Sequence, residues 1–535
     1  MKNRNNKYLP LLLGFACAIG VLLGAALDFS SYTSSSFLKP NKKKEKLARL
    51  IDYIEYEYVD EVDMDSIVDV TVNGILTDLD PHSVYIPQQE YVNLSASMKG
   101  DFVGIGVSFR NINDTIAVIQ TIEGGPSERV GIKGGDRILY ANGEPLFDSN
   151  ISEDSITSKL KGEENTRVVL KVYRKGNPEL LEFDVKRGRV ALKSVDAAYM
   201  LSEELGYIKI NRFAESTYKE FKESLLQLKK QGATKIALDL RNNPGGYLAE
   251  ATKIVDEFLP DKKLVLITKN KKGAIEKTYS TKEGDFETGE LYVLINENSA
   301  SASEIIAGAL QDNDKGVIIG RRSFGKGLVQ REMALGDGSA VRLTIARYYT
   351  PTGRSIQRPY NNGSEEYFND YLNRYKNGEL QSADNIQVDD SLKYVTPEGK
   401  VVYGGGGIIP DIFIPKDTNF EKQSLNLMLR NGYMDGFIFE VLEKNRDYYN
   451  ALSYEEFMQR EMISDQIIND FRAFMQRENF DVKFSNYRPV LKRYLKAAMA
   501  QQLFGSTAFE QILNEEDPAI DKVKELAAGN TSFRK

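Results

Sequence analysis

Three serines separated by single alanines stand between two apolar runs in the sequence ELYVLINENSASASEIIAGAL. The first run predicts a strand and the second a helix, so the serines occupy a strand-to-helix turn. Small side chains leave room for a substrate there, and a helix N-terminus favours developing negative charge. The middle serine, Ser301, is therefore a candidate nucleophile. Ser301 and Glu304 also have the spacing of a helix capping box, which explains a serine without any chemistry.

A serine nucleophile needs a base, and histidine is scarce in this chain. His82 is the only histidine among 535 residues, and it follows a proline in a turn-like segment. A lysine can act instead if burial lowers its pKa, because desolvation disfavours the ammonium form. Lys326, between Gly325 and Gly327 and soon after the apolar strand GVIIG, is the candidate base.

The segment around Lys326, GRRSFGKGLVQ, also has the glycine and lysine spacing of a nucleotide-binding P-loop. A P-loop requires Ser or Thr after the lysine to hold Mg²⁺, and a helix that begins there. This chain has Gly327 at that position and continues with the strand-like sequence GLVQREMAL. We therefore interpret the glycines as clearance around a buried lysine and not around a triphosphate.

Composition argues against several other chemistries. The chain has 70 Lys and Arg against 77 Asp and Glu, a net charge of -7, so no basic excess predicts binding to nucleic acid. Cys17 is the only cysteine and lies in an apolar run, which excludes a disulfide framework and a cysteine-rich metal site. Acyl transfer by a serine with a lysine base would need no metal and no cofactor.

The N-terminus has an uncharged run of 19 residues, 9–27, preceded by Lys2, Arg4 and Lys7. The run is long enough to span a bilayer, and the flanking cations favour an N-terminus that stays in the cytoplasm. Gly24-Ala25-Ala26 also fits a signal-peptidase site, so segment 1–27 is predicted to be an anchor or a cleaved signal. A retained anchor implies a single-pass protein of the inner (cytoplasmic) membrane, with its catalytic domain in the periplasm or otherwise outside the cytoplasm.

The remaining chain is long enough for two to four domains. Composition and periodicity change several times along it: a Ser- and Lys-rich stretch, helical apolar spacing, glycine-punctuated strands, strand-helix alternation, and a charged helical pattern. Alternation of strands and helices predicts an α/β layer with a central sheet. The predicted segments are a linker at 28–46, a helical region at 47–99, a β-rich domain at 100–187, an α/β core at 188–417 and a helical extension at 418–535.

The β-rich segment resembles a PDZ domain, because a GxG loop precedes the run VGIKGGDRI. PDZ domains bind a C-terminal carboxylate through backbone N–H groups of such a loop, and the bound peptide adds a strand to the sheet edge. The loop by itself is equally compatible with an ordinary β-turn. The resemblance assigns carboxylate binding to Phe102, Val103, Gly104, Ile105, Gly106 and Val107.

The order of PDZ module, DLRNNPGG, SASASE and FGKGLVQ resembles the carboxyl-terminal processing protease family, exported serine endopeptidases with a Ser-Lys pair. The DPHS turn at Asp80 and the GGGIIPD run near Gly405 are similar to further signatures of the family, so the resemblance covers about 79–415. It implies a multidomain α/β fold: a protease core with a mixed central sheet, ClpP/crotonase-like, an inserted β-rich PDZ domain, and helical terminal regions.

The resemblance also implies roles for individual residues. The catalytic side chains would be the nucleophile Ser301, the general base Lys326, the lysine-positioning Gln330 and the supporting acid Asp312. The oxyanion hole would use the backbone N–H groups of Ala302 and of either Gly245 or Gly246. The reaction would be acyl transfer to serine followed by hydrolysis.

The leading hypothesis is a membrane-anchored endopeptidase that recognises the C-terminal regions of exported proteins. A catalytically inactive PDZ scaffold is the alternative; loss of Ser301 or Lys326 would favour it, and both are present. A tricorn-like or retinoid-binding relative is disfavoured because the lysine motif is intact. Family members pair with adaptor lipoproteins or self-assemble through terminal helices, so 418–535 is predicted to be an adaptor or homo-oligomer surface, or else a helical cap.

Overall fold

The computed structural model describes residues 42–147, 151–480 and 487–529. The predicted anchor or signal segment 1–27 and most of the linker 28–46 lie outside these residues, so membrane attachment and location stay predictions. Within the described ranges, no helix combines the length and the apolar character needed to cross a bilayer. The described residues divide into two compact units, with the boundary between Ile75 and Leu76.

The predicted helical region contains three helices and one short strand. The elements are α1 (Lys42–Glu57), α2 (Met64–Thr77), β1 (Val84–Ile86) and α3 (Gln88–Lys99). Gly100 ends α3 with a left-handed φ of 82°, a conformation that glycine adopts without steric cost. The helical spacing of 47–79 is thus confirmed by α1 and α2.

The β-rich domain folds into a sheet with two short helices. Its elements are β2 (Asp101–Gly104), β3 (Val107–Ile112), β4 (Thr115–Thr121), α4 (Pro126–Arg129), β5 (Arg137–Ala141), β6 (Glu144–Pro145), α5 (Glu153–Leu160), β7 (Arg167–Tyr173), β8 (Leu181–Lys186) and β9 (Gly188–Ala191). The strand order is β3-β4-β5-β7-β8, with β6 on β5, which leaves β3 at an edge. β2 and β9, the first and last strands of the domain, pair antiparallel. The chain therefore enters and leaves the domain through one two-stranded ribbon.

The α/β core alternates strands and helices as predicted. Its elements are β10 (Val195–Met200), β11 (Leu205–Ile210), α6 (Thr217–Lys230), β12 (Lys235–Asp239), α7 (Leu248–Asp256), β13 (Leu264–Asn270), β14 (Ile275–Tyr279), β15 (Glu290–Ile295), α8 (Ala302–Asp312), β16 (Val317–Gly320), β17 (Leu328–Ala334), β18 (Ala340–Tyr349), α9 (Ser364–Phe368), α10 (Asp370–Lys376), β19 (Lys393–Val395), β20 (Val401–Tyr403) and β21 (Ile412–Phe413), with 3₁₀ turns at Ala383–Asn385 and Asp390–Leu392.

The central sheet has the order β10-β11-β12-β15-β16-β21, and only β10 is antiparallel to its neighbour. A second, antiparallel sheet has the order β1-β18-β13-β14, with β17 paired to β18. The apolar run LVLITK therefore forms a strand, β13, that lies outside the central sheet. The fold is the predicted multidomain α/β arrangement with a mixed central sheet.

The C-terminal extension is helical, as predicted. Its elements are α11 (Phe420–Arg430), α12 (Tyr433–Lys444), α13 (Arg446–Asn450), α14 (Tyr454–Gln459), α15 (Asp465–Arg477), α16 (Arg488–Phe504), α17 (Ser506–Leu513), a 3₁₀ turn at Asn514–Glu516 and α18 (Pro518–Ala527).

Alternate residues of the central strands are buried on opposite faces of the sheet. Ile236 and Leu238 of β12 face the core built with α6, α7 and α8, whereas Ala237 faces a second core that contains Ile520 and Val523 of α18. Parallel sheets need cover on both faces. The extension supplies that cover, which is the helical-cap alternative; an adaptor or oligomer surface stays a prediction.

The extension also contacts the β-rich domain through α12. Phe439 is fully buried in a cluster with Ile112, Ala117 and Ile119 of β3 and β4. Beside it, the Arg137 guanidinium donates to both carboxylate oxygens of Glu443, at 3.2 and 3.0 Å. One aromatic side chain and a bidentate ion pair thus join α12 to this domain.

Replacing Phe439 by alanine should weaken this junction, because a large buried ring leaves a cavity. We expect the free energy of unfolding of the β-rich domain in urea to fall by about 3 kcal/mol. The matched control is Phe420→Ala in α11, where the ring is 81% exposed and should contribute little. Equal unfolding midpoints for the two variants would contradict the proposed packing.

Candidate active site

The three serines of the SASASE turn have different surroundings. Ser299 and Ser303 are fully buried, and their hydroxyls donate to the carbonyl oxygens of Leu240 (2.8 Å) and Asn243 (3.0 Å). Ser301 is half-buried at the N-cap of α8, with φ 54° and ψ -111°, a strained backbone for a residue other than glycine. The outer serines therefore tie the turn to the loop after β12, and Ser301 keeps the more accessible side chain.

Lys326 lies in the loop that joins β16 to β17. Its Nζ donates to Oε1 of Gln330, on β17, at 2.7 Å. Nε2 of Gln330 donates in turn to the carbonyl oxygen of His82 at 2.5 Å. The lysine and glutamine of the FGKGLVQ motif are thus directly hydrogen-bonded.

A buried carboxylate links the segments that carry Ser301 and Lys326. Glu304 is fully buried, and its Oε2 accepts the N–H groups of Ser301 (2.9 Å) and Lys326 (2.8 Å). Its Oε1 accepts the Gly325 N–H (2.6 Å) and the Ser323 hydroxyl (2.5 Å). The capping box that was predicted from Ser301 and Glu304 is present, and the same glutamate also anchors the lysine loop.

Tyr348 of β18 makes a second link between these segments. Its hydroxyl donates to the Lys326 carbonyl at 2.6 Å and lies 3.2 Å from the Ser301 carbonyl oxygen. Sequence reasoning missed Tyr348, for which no motif gives a signal. It interpreted Glu304 only as a capping residue, although its fixed spacing from Ser301 was visible.

The pKa of Lys326 is lowered to about 8, chiefly by burial and further by the Arg342 cation, while Glu304 and Asp80 act in the opposite direction. A lysine with this pKa is neutral in roughly a tenth of molecules at pH 7. The pKa of His82 is lowered to about 3 by burial and by the Lys326 cation, so its ring is neutral. Burial also raises the pKa of Glu304, against the effect of its four hydrogen bonds.

The NPGG loop after β12 lies against the serine turn. A Cβ on Gly245 would stand 2.8 Å from the Ser301 Cβ and 3.0 Å from the Ala302 nitrogen. Gly245 and Gly246 have φ values of 103° and 144°, which other residues rarely adopt. Only glycine therefore allows this close approach.

The two glycines point their N–H groups differently. The Phe213 N–H donates to the Gly245 carbonyl (2.9 Å), and the Tyr247 N–H donates to the Phe213 carbonyl (2.8 Å). These two bonds form a parallel β-bridge between Phe213 and Gly246, which lies between Gly245 and Tyr247 in the chain. In a parallel bridge of this kind the N–H of Gly246 points away from Phe213. The Gly245 N–H donates to Oδ1 of Asn243 at 2.8 Å.

The glycines beside Lys326 make room for neighbouring backbone. A Cβ on Gly325 would stand 3.2 Å from the Gly407 nitrogen, and one on Gly327 would stand 3.0 Å from the Gln357 nitrogen. The loop continues into β17 and not into a helix, in agreement with the argument against a P-loop. The clearance predicted around the lysine side chain is thus clearance for adjacent chain segments.

Asp312 lies away from the other predicted catalytic residues. It ends α8, which begins at Ala302, so it is about 15 Å from the serine turn along the helix. Its carboxylate forms a fully buried ion pair with Arg354 at 2.8 Å and accepts the Thr352 N–H at 3.0 Å. The structure does not bring Asp312 together with Ser301 and Lys326.

The predicted carboxylate-binding loop joins β2 to β3, at the edge strand of the β-rich sheet. Gly104, Ile105 and Gly106 are buried, and Gly106 has a left-handed φ of 74°. The Ile105 carbonyl accepts the Ser127 N–H of α4 at 2.8 Å, and the Gly106 carbonyl accepts the Ile122 N–H at 3.0 Å. The loop is therefore fixed on the rest of its domain before any peptide binds.

Three regions of the chain match known protein families. Residues 204–362 match peptidase family S41, residues 103–186 match the PDZ domain, and residues 424–505 match a family of unknown function. The probable CtpA-like serine protease of Staphylococcus aureus (strain N315) is 33% identical over 353 residues, 65% of this chain and 70% of the relative. The carboxy-terminal-processing protease of Bartonella bacilliformis is 33% identical over 345 residues, 63% and 78% of the two chains.

A solved structure, a photosystem II D1 C-terminal processing protease, is 27% identical with a TM-score of 0.34, and the match covers 58% of this chain and 83% of the other. An α/β core with the serine and lysine motifs and an inserted PDZ domain defines a PDZ-containing serine protease. Given its curated relatives, the chain belongs to the carboxy-terminal-processing proteases of peptidase family S41, as the motif order predicted.

Replacing Glu304 by glutamine should disrupt the site, because each carboxylate oxygen accepts two donors and an amide nitrogen cannot accept. We expect kcat/KM to fall about 100-fold and the free energy of unfolding to fall by about 2 kcal/mol. Both are measured with an unfolded model substrate and by urea denaturation.

The matched control is Glu250→Gln, since Glu250 is also buried in the first turn of a helix, α7. Its carboxylate accepts hydrogen bonds from the Tyr218 N–H and the Lys253 ammonium, neither of which belongs to the segments that carry Ser301 and Lys326. Its kcat/KM should stay near that of the parent protein. A Glu304→Gln protein with activity within threefold of the parent would contradict the role given to this carboxylate.

Proposed function

We propose that Ser301 is the nucleophile and Lys326 the general base of this protease, which hydrolyses peptide bonds in the C-terminal regions of its substrates. The observation that carries the proposal is the carboxylate of Glu304, which accepts the backbone N–H groups of both residues. The lysine pKa of about 8 and its bond to Gln330 support the same roles. His82 is a poor base, because its pKa is about 3.

The reaction follows from these assignments. Neutral Lys326 accepts the hydroxyl proton as Oγ of Ser301 bonds to the peptide carbonyl carbon. The tetrahedral intermediate collapses, its C–N bond breaks, and the Lys326 ammonium gives its proton to the leaving amine. Water then attacks the acyl ester, Lys326 takes one water proton, and that proton returns to Oγ when the C–O bond to the enzyme breaks.

The negative oxygen of the intermediate needs donors beside Ser301. We assign this role to the N–H groups of Ala302 and Gly246. Ala302 is the first residue of α8, where the helix dipole adds to the stabilisation. Gly246 is preferred over Gly245, because the Gly245 N–H already donates to Asn243 and the Gly246 N–H points away from Phe213.

Substrate selection is assigned to the PDZ domain. Its predicted loop, which ends at Val107, leads into the edge strand β3, so a peptide can extend the sheet while its carboxylate meets the loop N–H groups. The substrates are therefore proteins whose C-terminal residues are accessible and extended.

The assignment of Lys326 as the base predicts how kcat/KM depends on pH. Because only neutral lysine accepts the serine proton, kcat/KM of the parent protein should rise about tenfold per pH unit up to about pH 8 and then level off. Ser301→Ala, Lys326→Ala and Lys326→Arg should each lose at least about 10³-fold, since arginine stays protonated. Rates are measured with an unfolded protein substrate across the pH range.

The matched control for the lysine is Lys315→Ala. The pKa of Lys315 is also lowered by burial, but its ammonium donates to the carbonyl oxygens of Glu287 and Gly289. This variant should keep its kcat/KM. Normal turnover by Lys326→Arg would refute the assignment of the base.

Carboxylate recognition predicts a difference between two forms of one peptide. A peptide with a free C-terminal carboxylate should bind the Ser301→Ala protein about tenfold more tightly than the same peptide with a C-terminal amide, because the charged hydrogen bonds are lost. Fluorescence anisotropy with labelled peptides measures both affinities without cleavage. Equal affinities of the two peptides would contradict the proposal that the PDZ loop binds the substrate carboxylate.

A further inference from the structure

A buried carboxylate that the proposed mechanism does not use lies in the turn before β1. Asp80 is 8% exposed, and its Oδ1 accepts the N–H groups of His82 (2.8 Å) and Ser83 (2.9 Å). Its Oδ2 accepts the Ser83 hydroxyl at 2.6 Å. One side chain therefore determines the shape of the whole turn.

The turn is attached to the strands that carry the base. Oγ of Ser83 accepts the Thr344 N–H of β18 at 3.2 Å, and Thr344 is the β18 partner of Gln330 in β17. The next residue, Val84, begins β1, which pairs antiparallel with β18. The turn thus has a fixed position next to Gln330.

The carbonyl of His82 accepts the Nε2 group of Gln330 at 2.5 Å. A glutamine amide can present either its oxygen or its nitrogen to a neighbour, and a carbonyl accepts only the nitrogen end. With Nε2 held by His82, Oε1 must face the Nζ of Lys326, as observed. Rotation of the amide by half a turn would instead point N–H groups at the lysine.

The His82 ring holds the other side of the turn. Its ring nitrogen Nε2 lies 2.8 Å from the Tyr367 hydroxyl, and the ring makes edge contacts with Phe324, Tyr367 and Phe368. Phe324 belongs to the same loop as Lys326. The ring therefore packs as a neutral group between the turn and the lysine loop.

We propose that the Asp80-Pro81-His82-Ser83 turn is a positioning element of the base: its His82 carbonyl selects the orientation of Gln330, and Asp80 holds that carbonyl in place. The inference rests on the proposed function, since it concerns how Lys326 is oriented. It gives the chain's single histidine a role through its backbone and not through its imidazole.

The charge of Asp80 can be tested through the pKa of Lys326, which is read from the pH dependence of kcat/KM. A turn with a purely structural role would leave this pH dependence unchanged. Arg342 of β18 lowers the pKa of Lys326, whereas Glu304 of α8 and Asp80 of the turn raise it. His82 is neutral, and its pKa is lowered by burial, by the Lys326 cation and by the Arg358 cation, against the effect of Asp80. Removal of the Asp80 charge should therefore lower the pKa of Lys326 and move the acid limb of the rate profile to lower pH.

The test compares the pH dependence of kcat/KM for Asp80→Asn, Ser83→Ala and the parent protein with one unfolded protein substrate. An asparagine oxygen still accepts both backbone N–H groups, so Asp80→Asn should move the acid limb to lower pH and keep most of the plateau rate. Ser83→Ala loosens the turn without changing charge, so its plateau should fall about tenfold with the limb unmoved. The matched control is Asp78→Asn, an exposed carboxylate two residues earlier, which should leave both unchanged.

Thermal unfolding of each variant shows whether it is folded, and Ser83→Ala decides the outcome if Asp80→Asn does not fold. The inference would be overturned if kcat/KM of Asp80→Asn rose over the same pH range as kcat/KM of the parent protein. It would also be overturned if Ser83→Ala reached the same plateau kcat/KM as the parent protein. A different result would contradict the proposed function itself. In that case kcat/KM of the parent protein would not rise with pH up to about pH 8, or Lys326→Ala would remain active.

Discussion

Glu304 carries a carboxylate into the fully buried interior, a state that is costly unless hydrogen bonds replace the lost hydration. Its four donors come from two separate segments, the serine turn at the start of α8 and the loop after β16. Movement of either segment would leave a buried charge with unmatched lone pairs. The proposed nucleophile and base are therefore held together by their backbones, and the other groups of the site are arranged around them.

The same constraint explains why the parallel sheet is needed. The serine turn follows β15, the lysine loop follows β16 and the NPGG loop follows β12, and these strands are neighbours with parallel direction. Carboxyl ends of parallel strands meet at one edge, which is where open α/β sheets bind their ligands. A sheet of this kind must be covered on both faces, and here α18 of the C-terminal extension contributes to the second cover.

Much of this fold was predictable from local pattern. The apolar runs of β11, β12, β15 and β16, the helices between them, and the glycine-rich PDZ motifs were recognised because each has a short-range signature. The location of β13 was not predictable, since an apolar pattern indicates a strand but not the sheet to which the strand belongs. The antiparallel pairing of β13 with β18 joins residues that are far apart in the sequence. The position of Asp312 at the far end of α8 likewise follows from helix length and from its pairing with Arg354.

The sequence by itself determined the chemistry that was available. With one histidine, one cysteine and an intact serine and lysine motif, a Ser-Lys pair was the simplest arrangement that the residue types allowed. Only the tertiary structure shows how the surroundings of Ser301 differ from those of Ser299 and Ser303, because that difference lies in which hydroxyls reach the carbonyls of Leu240 and Asn243. It also decided how Lys326 comes close to neutrality, since burial and the charges of Arg342, Glu304 and Asp80 come from segments far apart in the chain.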